Sequence, residues 1–113
     1  MNNVVVYVAW GESYVAEARK SLASLKEHTP NVVSYLFTLD TAVSGFDHVF
    51  PILIYKSRPR TKAGGIAKSC EVIPDEDRIV YLDTDTLVIG DIRELFEMPR
   101  WFDIAVAHAP FGS

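Results

Sequence analysis

Cysteine is nearly absent from this sequence. Its 113 residues include one, Cys70. No internal disulfide can form, which fits a reducing compartment and leads us to expect a cytoplasmic protein. A basic excess is absent too. Eleven lysines and arginines face fifteen aspartates and glutamates, a net charge of −4. That balance excludes the usual electrostatic footprint of a nucleic-acid-binding surface, so no nucleic-acid partner is expected. Long apolar runs are also missing. The longest, Val4 to Trp10, falls far short of the ~20 residues that span a bilayer, so no membrane span is expected. No Lys or Arg precedes it, which argues against a signal peptide. The chain shows no internal repeat, linker or low-complexity segment. It does have 49% hydrophobic and 23% charged residues, the composition of a globular protein. The length predicts one domain over 1–113, large enough to bury a core.

The hydrophobic pattern alternates between two periods. Val4 to Ala9 is an apolar, β-branched run, as expected of a strand buried on both faces. Gly11-Glu12-Ser13 breaks it. A helix is predicted from Tyr14 to Glu27, because Val15, Ala18, Leu22 and Leu25 form one helical stripe. Ser13 is the expected N-cap, and His28-Thr29-Pro30-Asn31 is a stop signal. A second strand is predicted over Val32 to Leu39. A third, Val49 to Ile54, contains Pro51 and is therefore expected at an edge or a bulge. Lys56 to Gly65 reads as a mobile basic loop. Ile66, Cys70 and Ile73 mark a short helix closed by Pro74, with Cys70 on its packed face. Arg78 to Asp83 is a fourth strand and Leu87 to Ile89 a brief extended segment. A capping box at Asp91 and Glu94 opens a short helix bearing Leu95 and Phe96. Ile104 to Ala107 is the last strand, ending at His108, whose default reading is a core histidine. Trp10 and Trp101 read as core or rim aromatics.

Strands alternating with helices predict an α/β fold: a mostly parallel sheet with helices on both faces. Ligands of such sheets gather at the carboxyl ends of the strands. Gly11 to Tyr14, Asp40, and Asp83-Thr84-Asp85 follow the first, second and fourth strands, so these segments should share one crevice. The acidic pair carries the most chemistry. In an extended chain, Asp83 and Asp85 would point to the same side about 6–7 Å apart. Two carboxylates so placed repel unless a cation or a proton lies between them. Hard divalent ions such as Mn²⁺ or Mg²⁺ take one or two carboxylates together with phosphate oxygens and water. The competing reading is a solvated acidic turn.

The stretch from Arg78 to Val88, with Gly90-Asp91-Ile92 and Glu94-Leu95-Phe96, resembles the segment around the DxD motif of GT-A glycosyltransferases. The likeness is nearest to the family 8-like, glycogenin-related nucleotide-diphospho-sugar transferases. Tyr14 after the first strand, Ser21-Leu22 and Ser24-Leu25 in the first helix, and Ile66-Ala67-Lys68-Ser69 before the fourth strand are similar too. This resemblance implies a Rossmann-like GT-A fold, present in part, and a metal-dependent glycosyltransferase. It implies a UDP-sugar donor and an acceptor that the sequence does not specify. Asp83 and Asp85 would hold Mn²⁺ or Mg²⁺ against the donor diphosphate, with Asp83 and Thr84 also among the nucleotide-sugar-binding residues. Ala9 and Tyr14 would line the nucleobase pocket, Tyr14 by stacking, and Asp40 would hydrogen-bond the base. Lys68, with Arg58 or Arg60, would face the diphosphate or the sugar. The late histidine that supplies the family's third metal ligand has no counterpart, and neither does the acceptor half. The expectation is therefore a donor-binding half with no catalytic residue assigned. Its open sheet edges would allow a homo-oligomer.

Two other readings compete. One is a nucleotide-binding module without catalysis. The other is a haloacid dehalogenase-like phosphatase, since Asp83-Thr84-Asp85-Thr86 also resembles that family's first motif, with Asp83 as nucleophile and Asp85 as general acid/base. The motifs that should follow have little room after Asp85. At single positions, Tyr14 could be a packed helix-start aromatic and Asp40 a turn cap. The run Lys56, Arg58, Arg60, Lys62 could be solvated, and Lys68 could snorkel from its helix.

Overall fold

The computed structural model describes residues 2–88, Gly90, Ile92 and Phe96, and the backbone of Ile104–Ala107. The capping box at Asp91 and Glu94, Leu95, Trp101 and His108 lie outside the described residues. The elements run β1 (Asn3–Val8), α1 (Glu12–His28), β2 (Val32–Thr38), β3 (His48–Pro51), α2 (Arg58–Val72), β4 (Arg78–Leu82) and β5 (Ile104–Ala107). The five strands form one sheet in the order β3-β2-β1-β4-β5, and every pairing is parallel. The expected α/β class holds. Pro51 ends the edge strand β3, where a missing N–H costs little.

Alternating residues of each strand reach opposite faces, and each face has its own helix. On one face Val5, Tyr7, Ala9, Leu36, Val80 and Leu82 pack with Val15, Ala18, Leu22 and Leu25 of α1. Burying each of those leucines contributes about 1.5–3 kcal/mol. On the other, Val4, Val6, Val8, Tyr35, Phe37 and Tyr81 pack with Ile66, Val72 and Ile73 from α2 and its end. Polar atoms inside these layers are paired. The Tyr7 hydroxyl and Ser21 Oγ lie 2.7 Å apart, and burial raises the Tyr7 phenol well above its ordinary range. Tyr81 meets the Ser69 hydroxyl and donates to the Ile66 carbonyl at 3.2 Å.

Three expectations need correction. α1 starts earlier than predicted, at Glu12, and its cap is Gly11 rather than Ser13. Gly11 has φ +90°, a conformation that favours glycine over any side chain with a Cβ. The stretch read as a mobile basic loop is the first half of α2. Ser57 caps that helix, its Oγ accepting from the Arg60 N–H at 3.3 Å, and Pro59 lies in the first turn, where its lost N–H is harmless. Cys70 is exposed rather than on the packed face. The buried positions of α2 are Thr61, Gly65 and Ser69, one per turn, and a stripe so small in side-chain volume is hard to see as hydrophobic periodicity. Among the described residues, no helix is long and apolar enough to cross a membrane.

Candidate functional site

The chain builds the sheet outward from β1 through β2 to β3, then returns to lay β4 on the other side of β1. The strand order reverses between β1 and β4, and a crevice must open outside their carboxyl ends. A cleft of about 230 Å³ lies there, lined by Val8, Ala9, Tyr14, Glu17, Arg58, Lys62, Asp83, Thr84 and Asp85. Four elements supply it: the end of β1, the first turns of α1 and α2, and the turn after β4. Both helices begin at this end, so their positive dipole ends also face it.

The acidic turn differs from the extended geometry expected. The Thr86 N–H donates to the Asp83 carbonyl at 3.0 Å, which closes a β-turn over 83–86 with Asp at its favoured first position. Thr86 is buried and anchors the turn. Asp83 and Asp85 therefore share the cleft through a turn rather than through strand alternation.

The opposite wall is basic. Arg58 and Lys62 are one turn apart on α2 and both reach the cleft. Lys62 Nζ lies 3.4 Å from Asp83 Oδ1, with both side chains part-exposed. The Arg58 guanidinium sits 4.3 Å from the ring centroid of Trp10 and 4.4 Å from that of Tyr14. Each contact is a cation–π interaction worth about 0.5–1 kcal/mol at such exposed sites. Tyr14 itself is 40% exposed, so it is a wall of the cleft rather than an aromatic packed on the sheet.

The structure thus brings together Ala9, Tyr14, Arg58, Asp83, Thr84 and Asp85 from the residues picked out by sequence. Asp40, Arg60 and Lys68 do not line the cleft. The Asp40 carboxylate accepts from the Ala42 N–H at 3.0 Å, a local turn cap. Arg60 lies 5.5 Å from the Tyr55 ring centroid. Lys68 is six residues beyond Lys62 on α2, about 9 Å farther along the axis and on another side of the helix. Sequence reasoning had Lys62 only as one of four basic residues and missed Glu17. Lys62 would follow from extending α2 back to its true first turn, and Glu17 from its place one turn beyond Tyr14 on the same side of α1.

The donor set suits a hard divalent ion only in part. Two carboxylates line the cleft, but among the described residues no group of three or more His, Cys, Asp or Glu side chains could hold a metal. An ion here would need oxygens from a bound phosphate and from water to complete its shell.

No family model matches the chain, and no curated protein matches it. Solved structures do. The crystal structure of the glycosyltransferase GlyE of Streptococcus pneumoniae TIGR4 superposes with a TM-score of 0.63 at 22% identity, covering 88% of this chain and 27% of that one. The apo form of that enzyme gives 0.57 at 24% identity, with the same coverage of 88% and 27%. At these identities the likeness is one of fold. The chain spans little more than a quarter of the length of those neighbours, and over that span it has a Rossmann-like glycosyltransferase fold.

Proposed function

We propose that this chain binds the nucleotide-sugar donor of a metal-dependent glycosyltransferase of the GT-A, family 8-like kind. One observation carries the reading. An acidic pair, Asp83 and Asp85, and a basic pair, Arg58 and Lys62, face one another across a cleft at the strand-order reversal. A diphosphate with a divalent ion is a ligand that uses both walls, its oxygens taken by the cations and its metal by the carboxylates.

In this reading Asp83 and Asp85 hold Mn²⁺ or Mg²⁺ together with the diphosphate, and Arg58 and Lys62 donate to phosphate oxygens. When bound, the ion supplies charge neutralisation for the departing nucleoside diphosphate. Ala9 leaves room for a base beside Tyr14, whose ring offers a stacking face once Arg58 turns to the phosphates. Thr84, at the head of the turn, is within the same cleft and contributes its hydroxyl to the sugar side. The GlyE likeness supports the transferase class, and a UDP donor follows from the family resemblance alone. Acceptor, sugar and catalytic residue are not assigned.

The test is calorimetry of UDP against residues 1–113, with Mn²⁺ and with EDTA. Binding should require the ion, because two carboxylates alone make a weak metal site and an ion-free diphosphate meets the acidic pair. UDP binding of equal tightness in EDTA would overturn the proposal.

A further inference from the structure

Lys62 stands apart from the rest of the cleft. It is the partner of one of the two carboxylates that the proposed function assigns to a metal: its Nζ is 3.4 Å from Asp83 Oδ1. The other charged groups on the walls are Glu17 from α1, Arg58 one turn back on α2, and Asp85 in the turn. Arg58 is engaged with the faces of Trp10 and Tyr14, whereas Lys62 is directed at Asp83 in the acidic turn.

We infer that Lys62 is a resident counter-ion that holds the metal position of the empty cleft and hands it over when ion and diphosphate arrive together. A lysine suits this exchange. Its ammonium is a compact charge on a flexible four-carbon stem, and it is anchored near the first turn of a helix. With the cleft empty, it offsets the repulsion of the acidic pair. A free divalent ion must displace it and leave an ammonium beside a dication. A metal-bound diphosphate presents oxygens to that same ammonium, so the pair given up with Asp83 is replaced by one with phosphate. Lys62 therefore disfavours the bare ion and favours the ion–diphosphate pair, which makes binding of the two cooperative through a protein side chain. The inference rests on the proposed function, the competition with bare metal on its metal assignment to the acidic pair and the cooperative arm on its diphosphate as well.

The experiment compares the unsubstituted chain with Lys62→Met, which keeps the stem without the charge, and Lys62→Arg, which keeps the charge. Mn²⁺ binding is followed by electron paramagnetic resonance titration, first alone and then with UDP. Lys62→Met should bind Mn²⁺ alone roughly 1.5- to 5-fold more tightly, the range that a part-exposed ion pair is worth. It should bind UDP with Mn²⁺ roughly tenfold more weakly, through loss of a charge-assisted hydrogen bond. Lys62→Arg should stay near the parent in both. Unchanged or weaker binding of Mn²⁺ alone by Lys62→Met overturns the inference, as does Mn²⁺ binding too weak to measure in both proteins. If Mn²⁺ alone binds more tightly to Lys62→Met while none of the three chains takes up UDP, the counter-ion stands and the nucleotide reading falls.

Discussion

Arg58 shows how one side chain can hold a cleft in a given state. Its guanidinium lies between Trp10 and Tyr14, the place where a nucleobase would stack in the proposed reading. The two contacts together are worth about 1–2 kcal/mol, small enough for a bound diphosphate to draw the side chain away. The acidic pair is a different case, because its partners are part-exposed. Replacing Asp83 or Asp85 with Asn removes a like-charge repulsion and, at Asp83, an ion pair worth about 0–1 kcal/mol. Each variant should lose Mn²⁺-dependent UDP binding, while stability in chemical denaturation changes by less than about 1 kcal/mol. A loss of ~2 kcal/mol or more would assign the carboxylate a structural role.

At the level of elements, α2 was the least legible part of the sequence and is the part that shapes the basic wall. Its glycines look like loop residues, yet Gly65 faces β1 so closely that a Cβ there would lie 2.7 Å from Val8 Cγ1. Gly64 differs: a Cβ would meet Tyr55 Cε2 at 3.2 Å, and Tyr55 is an exposed ring that can give way. Both positions gain about 1 kcal/mol of helix propensity from alanine. Only Gly65→Ala overpacks a buried contact, at a cost of about 1–3 kcal/mol. Urea unfolding should place Gly65→Ala below Gly64→Ala by that amount. The stripe on α1 was legible because its buried positions are Val, Ala and Leu. The stripe on α2 is Thr61, Gly65 and Ser69, whose fit comes from small size and hydrogen bonds rather than from hydrophobicity.

The join between β2 and β3 carries a pH dependence. Asp47 Oδ2 accepts from the Ser34 N–H at 2.8 Å and from its hydroxyl at 3.1 Å, and the Asp47 N–H donates back to Ser34 Oγ at 2.9 Å. The Ser34 backbone N–H is the main reason that the Asp47 carboxyl titrates below its ordinary 3.8. A lowered folded-state value means that the stabilisation is complete above the unfolded value and disappears as pH falls through the folded one. Stability should therefore decline below about pH 4, and Asp47→Ala should flatten that decline while costing about 1 kcal/mol at neutral pH. Melting temperatures measured from pH 7 to pH 3 would check both.

Over the whole molecule, the strand-and-helix alternation made the parallel sheet legible, since buried parallel strands are written as runs such as Val4 to Ala9. The position of the acidic pair was legible too, because four apolar residues of β4 lead into it. Which residues share the cleft was only half legible. That depends on where the chain reverses its strand order and on where two helices begin, and Gly11 and Ser57 set those starts without any apolar signal. The turn after β4 is also tied back to α1. The Ser24 hydroxyl accepts from the Val88 N–H at 2.9 Å, across 64 residues of chain. Closing a loop of that length is an entropic cost met only when the rest of the sheet has assembled. The acidic turn should therefore belong to the slow, long-range part of folding. A newly made chain is then expected to acquire its charged cleft late, after the layers that flank it have docked.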